Sequence, residues 1–86
     1  MTMILKEAVF GYGDALTPDV AARLTQAAER FEATLWMERG DKRVLLDSLI
    51  VILSIQCRRG DRLAILAEGE DAQTAAEAIA AVIERG

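Results

Sequence analysis

The hydrophobic pattern of this chain switches between the alternation typical of a β-strand and the three-to-four spacing typical of an α-helix. Apolar residues, several of them β-branched or aromatic, occupy residues 3–10 and indicate a strand. A helix is predicted after it, because Val20, Leu24, Ala27 and Phe31 recur at spacings of four, three and four residues. We therefore expect a mixture of strands and helices, each burying one apolar side.

Two helix starts are marked by capping residues. Thr17 can accept a hydrogen bond from the free amides of a first turn, and Pro18 suits the first helical position because its missing N–H is not needed there. Asp71 is a good N-cap for the last helix. The apolar face predicted for that last helix consists of Ala72, Ala75, Ala76, Ile79, Val82 and Ile83.

Residues 34–46 have the pattern of a β-hairpin. The strand at 34–38 alternates, so that Trp36 projects from the side opposite to its apolar neighbours. Gly40-Asp41 is a two-residue turn signal, and the returning strand follows at 42–46. Another alternating segment, residues 63–67, predicts a further strand.

Residues 48–56 are ambiguous. Their Leu-Ile-Val-Ile-Leu run has the propensity of a buried strand. At this length, periodicity cannot distinguish a buried strand from a buried helical segment. Propensity favours a strand, and a short helix is the alternative.

The charge balance argues against two classes of partner. With 10 basic and 14 acidic side chains, the chain has a formal net charge of −4. A nucleic-acid binder needs a basic face to displace counterions, and anionic membrane surfaces attract basic segments. We therefore expect neither a nucleic acid nor a membrane as a partner.

Two residue types limit the chemistry available to the chain. Histidine is absent and Cys57 is the single cysteine, so neither a disulfide nor a cysteine metal cluster can form within one chain. Carboxylates without other ligands make a poor zinc or copper site. The chain also lacks a glycine-rich phosphate loop and a convincing pair of catalytic carboxylates. We expect no metal, no cofactor and no enzymatic activity.

Size and the N-terminal segment indicate one cytoplasmic domain. The 86 residues are enough for a single domain, 1–86, and 52% of them are hydrophobic, which is ample for a core. The N-terminal stretch contains Lys6 and Glu7, and is too short and too charged for a signal peptide. No apolar run is long enough to span a bilayer.

Three segments, residues 16–22, 47–50 and 66–71, together resemble one known family. Leu-Thr-Pro-Asp-Val-Ala-Ala stands where that family has Leu-His-Ala-Arg-Pro-Ala-Ala, and Asp-Ser-Leu-Ile is similar to its Lys-Ser-Ile-Met. Leu-Ala-Glu-Gly-Glu-Asp before an Ala-rich helix resembles the family's ending. The segments fall in register without gaps from residue 16 to the C-terminus. The family is HPr, the small phosphocarrier protein of the bacterial sugar phosphotransferase system.

The resemblance implies a fold of the α+β class. HPr proteins are open-faced β-sandwiches, with a four-stranded antiparallel sheet, three helices on one face and the element order βαββαβα. On that pattern the whole chain is one HPr-like domain. The ambiguous segment then becomes a short helix that begins near Ser48, and the resemblance overrides the strand favoured by propensity.

The resemblance also identifies what the chain lacks. The family's histidine accepts phosphate from phosphoenolpyruvate through a partner enzyme and passes it on, because its ring nitrogen is a good nucleophile and the phosphoramidate is labile. Thr17 occupies that position here, and its hydroxyl is a weak nucleophile with no histidine base in the chain. Asp19 replaces the family's arginine and reverses the local charge. We interpret Thr17 as a helix cap and expect no catalytic residue.

Ser48 matches the serine that a dedicated kinase phosphorylates in some HPr proteins and in histidine-lacking relatives. A helix N-terminus would stabilise the phosphate, whereas Asp47, in place of the family's lysine, would repel it. The alternative for Ser48 is an ordinary N-cap. Leu49, Ile50 and Leu53 resemble the family's apolar docking surface, with core packing as the alternative for part of the set. The resemblance implies a regulatory or adaptor protein, with phosphotransferase-system components, a serine kinase or a transcriptional regulator as partners.

A second surface is expected on the uncovered side of the sheet. Trp36, Leu45 and Leu66 alternate away from the inward-facing residues of their strands. Three large apolar side chains on a solvent face favour self-association as a homodimer, although scattered exposed apolar residues are common. The alternative function is therefore a structural or assembly protein that keeps only the HPr fold.

Overall fold

The computed structural model describes residues 3–85, and its strands and helices follow the order βαββαβα. This order, with a four-stranded antiparallel sheet, confirms the predicted α+β open-faced β-sandwich. Within the described residues, no helix is both long and apolar enough to cross a membrane. The elements are β1 (Met3–Val9), α1 (Pro18–Ala28), β2 (Thr34–Arg39), β3 (Lys42–Leu45), α2 (Leu49–Leu53), β4 (Arg62–Glu68) and α3 (Ala72–Arg85).

The sheet has the strand order β1-β4-β2-β3, with every neighbouring pair antiparallel. β4 and β2 are therefore the central strands, and β1 and β3 form the edges. Arg39 pairs with Lys42, so the hairpin turns on the two residues Gly40 and Asp41, as predicted. Gly40 has a φ of 62°, a left-handed conformation that glycine adopts without a Cβ clash.

The core lies between the sheet and the helical layer. α3 packs on β1 and β4, and α1 packs on α3 and α2. The inward side of β4 contributes Leu63, Ile65 and Ala67, none more than 2% exposed. The predicted apolar face of α3 is buried, apart from Val82, which is partly buried. No polar or charged residue in the range 3–85 is buried, so the core is held together by apolar packing.

The segment with strand propensity is a helix, so the strand prediction for residues 48–56 was wrong. Helix α2 spans Leu49–Leu53, as the resemblance implies. Ile52 and Ile55 are 0% and 3% exposed, whereas Ile50 is 78% exposed. Burial at a three-residue spacing fits a short helix packed on α1 and β3, rather than a strand added to the sheet. Tertiary packing here overrides the propensity of the local sequence.

The carboxylate of Asp71 bonds to a different segment from the one predicted, which corrects its assignment as the side-chain cap of α3. Its two oxygens accept hydrogen bonds from the backbone N–H groups of Glu32 and Ala33, at 2.9 and 2.8 Å. Gly69 approaches the same segment: a Cβ there would lie 3.1 Å from the Ala33 Cα, and its φ is 141°. The start of α3 is thereby attached to the segment that leads into β2.

Candidate functional site

The start of α1 carries the position that resembles the family's phosphorylated histidine. Thr17 is the N-cap, with φ −115° and ψ 168°, and its Oγ1 accepts a hydrogen bond from the Val20 N–H at 3.3 Å. Pro18 is the first residue of the helix. Thr17 therefore has the capping role predicted from the sequence.

An open depression of about 450 Å³ lies beside this cap. Its lining includes Thr17, Tyr12, Asp14 and Asp19, and no basic residue is among those that line it. Arg59 approaches Asp14 at 3.5 Å, but both side chains are exposed, so this ion pair is worth little. A phosphoryl group is anionic, and two carboxylates in the lining disfavour it.

Ser48 stands at the N-cap position of α2, but its side chain makes no capping hydrogen bond. Its backbone is extended, with φ −141° and ψ 126°, and its carbonyl accepts from the Ile52 N–H at 3.0 Å. The side chain is partly buried, and the preceding Asp47 is exposed. Whereas the Thr17 hydroxyl accepts a hydrogen bond from the first turn of α1, the Ser48 hydroxyl makes no such bond with α2.

The apolar residues that follow Ser48 divide into inward and outward sets. Leu49 and Leu53 are partly buried and pack against the core, whereas Ile50 is 78% exposed. Val51, which sequence reasoning missed as a surface residue, is 40% exposed. Helical geometry explains the division, since positions three and four apart share one face and the residues between them do not. Treating the segment as a helix would have identified Val51 as the outward neighbour of Ile50.

The uncovered side of the sheet carries an apolar row that crosses all four strands. Leu5 pairs with Leu66, Leu66 with Trp36, and Trp36 with Leu45. These four residues form the outer row. The predicted set of three is thus brought together, and sequence reasoning missed Leu5, which is 61% exposed. The sequence signal for Leu5 is the alternation of side chains along β1, in which Leu5 points to the opposite side of the sheet from its neighbours Ile4 and Lys6.

Leu66 differs from its prediction in exposure. It is 8% exposed, whereas Trp36 and Leu45 are partly exposed. Leu66 lies on a central strand between Leu5 and Trp36, and these neighbours on both sides shield it from solvent. The prediction that Leu66 points outward was right, but the prediction that its side chain is exposed was wrong. The accessible part of the outer row is provided by the other three residues.

The titratable groups of residues 3–85 form neither a cluster for a metal ion nor an activated thiol. Between residues 3 and 85, no group of three or more Asp, Glu, Cys or His side chains could hold a metal ion. Cys57 is 1% exposed, and burial, together with the Asp61 carboxylate, raises the pKa of its thiol. A raised pKa keeps the thiol protonated, and therefore a poor nucleophile, at neutral pH.

Comparison with known proteins finds relatives over most of this chain. The family model for the PTS HPr component phosphorylation site matches residues 15–85. The chain is 34% identical over 65 residues to the HPr-like protein Crh of Halalkalibacterium halodurans, which covers 76% of this chain and 77% of that relative. The residues that the family model matches include the segments around Thr17 and Ser48.

Solved structures extend the similarity to the fold. The phosphocarrier protein HPr from Bacillus anthracis superposes with a TM-score of 0.90 and 32% identity, covering 96% of this chain and 99% of that one. The catabolite repression protein Crh of Bacillus subtilis, described as a dimer with a swapped domain, gives a TM-score of 0.75 and 31% identity, over 87% of this chain and 82% of that one.

Proposed function

Because the chain belongs to the HPr family of the phosphotransferase system, we propose that it is a regulatory or adaptor member that docks on other proteins around Ser48. The observation that carries the proposal is the outward pair Ile50 and Val51 beside Ser48, in a chain that has no histidine. The family consists of phosphocarrier proteins rather than enzymes, and we propose that this chain is not an enzyme either.

Three features at the start of α1 support the absence of carrier chemistry. The position that resembles the family's histidine is Thr17, and its hydroxyl already accepts a hydrogen bond from the helix. The adjacent depression contains Asp14 and Asp19, which repel an incoming phosphoryl group. No histidine elsewhere in the sequence can act as the base that a hydroxyl nucleophile needs.

The docking patch consists of Leu49, Ile50, Val51 and Leu53. Its two outward side chains are 78% and 40% exposed, on a helix of five residues. Covering an exposed Ile or Val side chain contributes about 1–2 kcal/mol, which offsets part of the cost of association. The patch is therefore suited to a partner with a complementary apolar groove.

The partners proposed for this patch are those that the resemblance implies. They are components of the phosphotransferase system, a serine kinase, or a transcriptional regulator. The similarity to Crh, described as a catabolite repression protein, supports the regulatory class. We propose that the chain works in the cytoplasm, which is consistent with its membership of the HPr family.

Phosphorylation of Ser48 is the regulatory step that we propose at this site. The Ser48 hydroxyl makes no capping hydrogen bond, so a kinase would not have to break one. The neighbouring Asp47 opposes the modification, because a carboxylate beside a phosphate dianion repels it. A phosphate beside Ile50 and Val51 would change the charge of the docking patch, and with it the choice of partner.

Mass spectrometry of the intact protein tests this step. After incubation with an HPr serine kinase and ATP, we expect the mass of one phosphate on the wild type and none on Ser48→Ala. Ser54→Ala is the matched control, because Ser54 lies at the other end of α2 and its hydroxyl donates to the Val51 carbonyl at 2.6 Å. An unmodified wild type, with its native circular dichroism spectrum, would exclude phosphorylation and leave docking to be tested separately.

A binding assay tests docking itself. Ile50→Asp should weaken binding to an HPr serine kinase by about tenfold or more, because it places a charge at the centre of the contact. Val9→Asp is the matched control, since Val9 is 46% exposed and lies on β1, outside the docking patch. Equal affinities for the two variants would contradict docking through α2.

A second candidate function is a structural or assembly protein that self-associates through the outer side of the sheet. The specific observation in its favour is that Trp36, Leu45 and Leu66 line up in register with Leu5 across four strands. Dimers are described among the similar structures, which supports a homodimer but not this surface. Trp36→Glu should abolish such an oligomer and leave phosphorylation at Ser48 unchanged.

A further inference from the structure

We propose that the outer side of the sheet binds a second copy of this chain, face to face, about a two-fold axis that runs parallel to the strands. This inference rests on the second candidate function, self-association, and adds to it the way in which the two copies pair. It follows from the outer row and from the row of residues next to it.

The neighbouring row is charged at both edges of the sheet. Glu7 on β1 pairs with Ala64, Ala64 with Glu38, and Glu38 with Arg43 on β3. Arg43 Nε donates to Glu38 at 2.8 Å, within the row. Among residues 3–85, no ion pair reaches Glu7, which is three strand spacings, about 14 Å, away from Arg43. This row thus has an acid at one edge of the sheet and a base at the other.

A two-fold axis along the strands makes this face complementary to itself. If the axis passes between β4 and β2, it exchanges β1 with β3 and β4 with β2, and it keeps each row opposite the same row of the second copy. Large apolar side chains then meet large apolar side chains, and the two ends of the charged row meet as opposite charges. The resulting contacts, each formed twice, are Leu5 with Leu45, Leu66 with Trp36, and Glu7 with Arg43.

The other symmetric arrangement is disfavoured by charge. A two-fold axis along the outer row would place Glu7 over Met3, because the row on the far side contains Met3, Glu68 and Thr34. Glu7 would then be covered by an apolar side chain without a cation, which costs free energy. Sheets that pack face to face keep their strands within about 30° of each other, which leaves these two axes as the alternatives, and the charges decide between them.

The size of the contact predicts a weak dimer. Four strands about 4.8 Å apart and three rows about 7 Å apart cover roughly 400 Å² on each copy. This area is about half of the usual contribution of one partner to a stable interface. Association should therefore depend on concentration and appear between about 10 μM and 1 mM.

Sedimentation velocity over that range tests self-association through this face. We expect a monomer–dimer shift in the wild type, with a parallel blue shift in the emission of Trp36, the single tryptophan. Leu5→Lys should weaken the dimer roughly tenfold, and it should fold normally because Leu5 is 61% exposed. Thr74→Lys, at an exposed position of α3 on the helical side of the sheet, is the matched control and should associate as the wild type does.

A mixing experiment tests the axis. Glu7→Lys and Arg43→Glu should each associate weakly on their own, because each brings like charges together twice. A labelled Glu7→Lys protein mixed with unlabelled Arg43→Glu restores both ion pairs, and should recover an affinity close to that of the wild type. Lys42→Glu, on the same strand but facing the other side, should not weaken self-association.

The outcomes separate the two levels of the inference. A wild type that stays monomeric at about 1 mM, or a dimer that Leu5→Lys leaves intact, would overturn self-association through this face and the pairing with it. A dimer that Leu5→Lys disrupts, but whose charge variants do not recover on mixing, would overturn the strand-parallel axis and leave self-association standing.

Discussion

Replacing Asp71 by alanine should destabilise the fold by about 2–3 kcal/mol, although this residue, which directly precedes α3, is only partly buried. The carboxylate accepts two backbone hydrogen bonds, from Glu32 at 2.9 Å and from Ala33 at 2.8 Å. It is the only side chain among the described residues that joins the start of α3 to the segment before β2 in this way. Its loss would release that connection.

The magnitude follows from the exposure of the two donors. The Ala33 N–H is part-buried, and a hydrogen bond to a charged acceptor there contributes about 1.5–3 kcal/mol. The Glu32 N–H is exposed, so water can replace the carboxylate and its bond adds only about 0.5 kcal/mol. Asp71→Asn should lose about half of the total, because it keeps one acceptor oxygen but presents an NH₂ group to the second donor.

Urea denaturation followed by circular dichroism measures this loss as a change in the free energy of unfolding. The control is Glu70→Ala, which removes the same charge at the adjacent exposed position. We expect the control to stay within about 0.5 kcal/mol of the wild type. If Asp71→Ala were no less stable than Glu70→Ala, the two hydrogen bonds would not stabilise the fold as argued.

Three further predictions concern backbone space, backbone conformation and pH. Gly11→Ala should cost about 1–3 kcal/mol, because its Cβ would lie 2.7 Å from the Glu84 carbonyl oxygen, and an unchanged melting temperature would contradict this. Gln56→Gly should raise the free energy of unfolding by about 0.5–1 kcal/mol, because Gln56 has a φ of 56°. A lower stability of that variant in urea would refute the assignment of backbone strain. Since the pKa of Cys57 is raised in the folded state, stability should fall as the pH rises above the ordinary thiol pKa of about 8.5–9. Melting curves at about pH 7 and pH 10 should show a smaller loss in Cys57→Ala than in the wild type, and equal losses would contradict the shift.

The parts of the fold that the sequence predicts correctly are those with long or locally marked patterns. The helix after Thr17 is defined by its cap and by its apolar stripe, and the hairpin by Gly40-Asp41. Phe31, the last residue of the predicted stripe, lies beyond the end of the helix at Ala28. Helix α3 has a regular apolar face, which the structure buries. Each signal lies within the element itself, so no knowledge of the rest of the chain is needed.

The parts that sequence reasoning missed depend on contacts between distant segments. The Leu-Ile-Val-Ile-Leu run has no local feature that decides between strand and helix, and packing on α1 and β3 decides it. Asp71 satisfies amides 38 and 39 residues away, although its own helix lies next to it. The pattern within one helix or strand cannot predict a hydrogen bond between residues so far apart in the sequence.

The outer row and the docking patch were predicted only in part, because the exposure of their residues also depends on contacts between distant segments. The direction of Leu66 followed from alternation, but its burial depends on Leu5 and Trp36 in neighbouring strands. Val51 was missed because its exposure follows only from the helical geometry of α2. Pattern therefore predicts which way a side chain points, whereas exposure requires the strand order and the packing of the helices.

The central claim, docking around Ser48, is tested most directly by titrating the ¹⁵N-labelled protein with an unlabelled HPr serine kinase and recording the amide chemical shifts. The account predicts that the largest shifts cluster at residues 48–53, with Ile50 and Val51 foremost, and that Leu5 and Trp36 on the outer side of the sheet stay unchanged. Saturating additions that leave residues 48–53 unshifted, or that shift only the outer row, would contradict it.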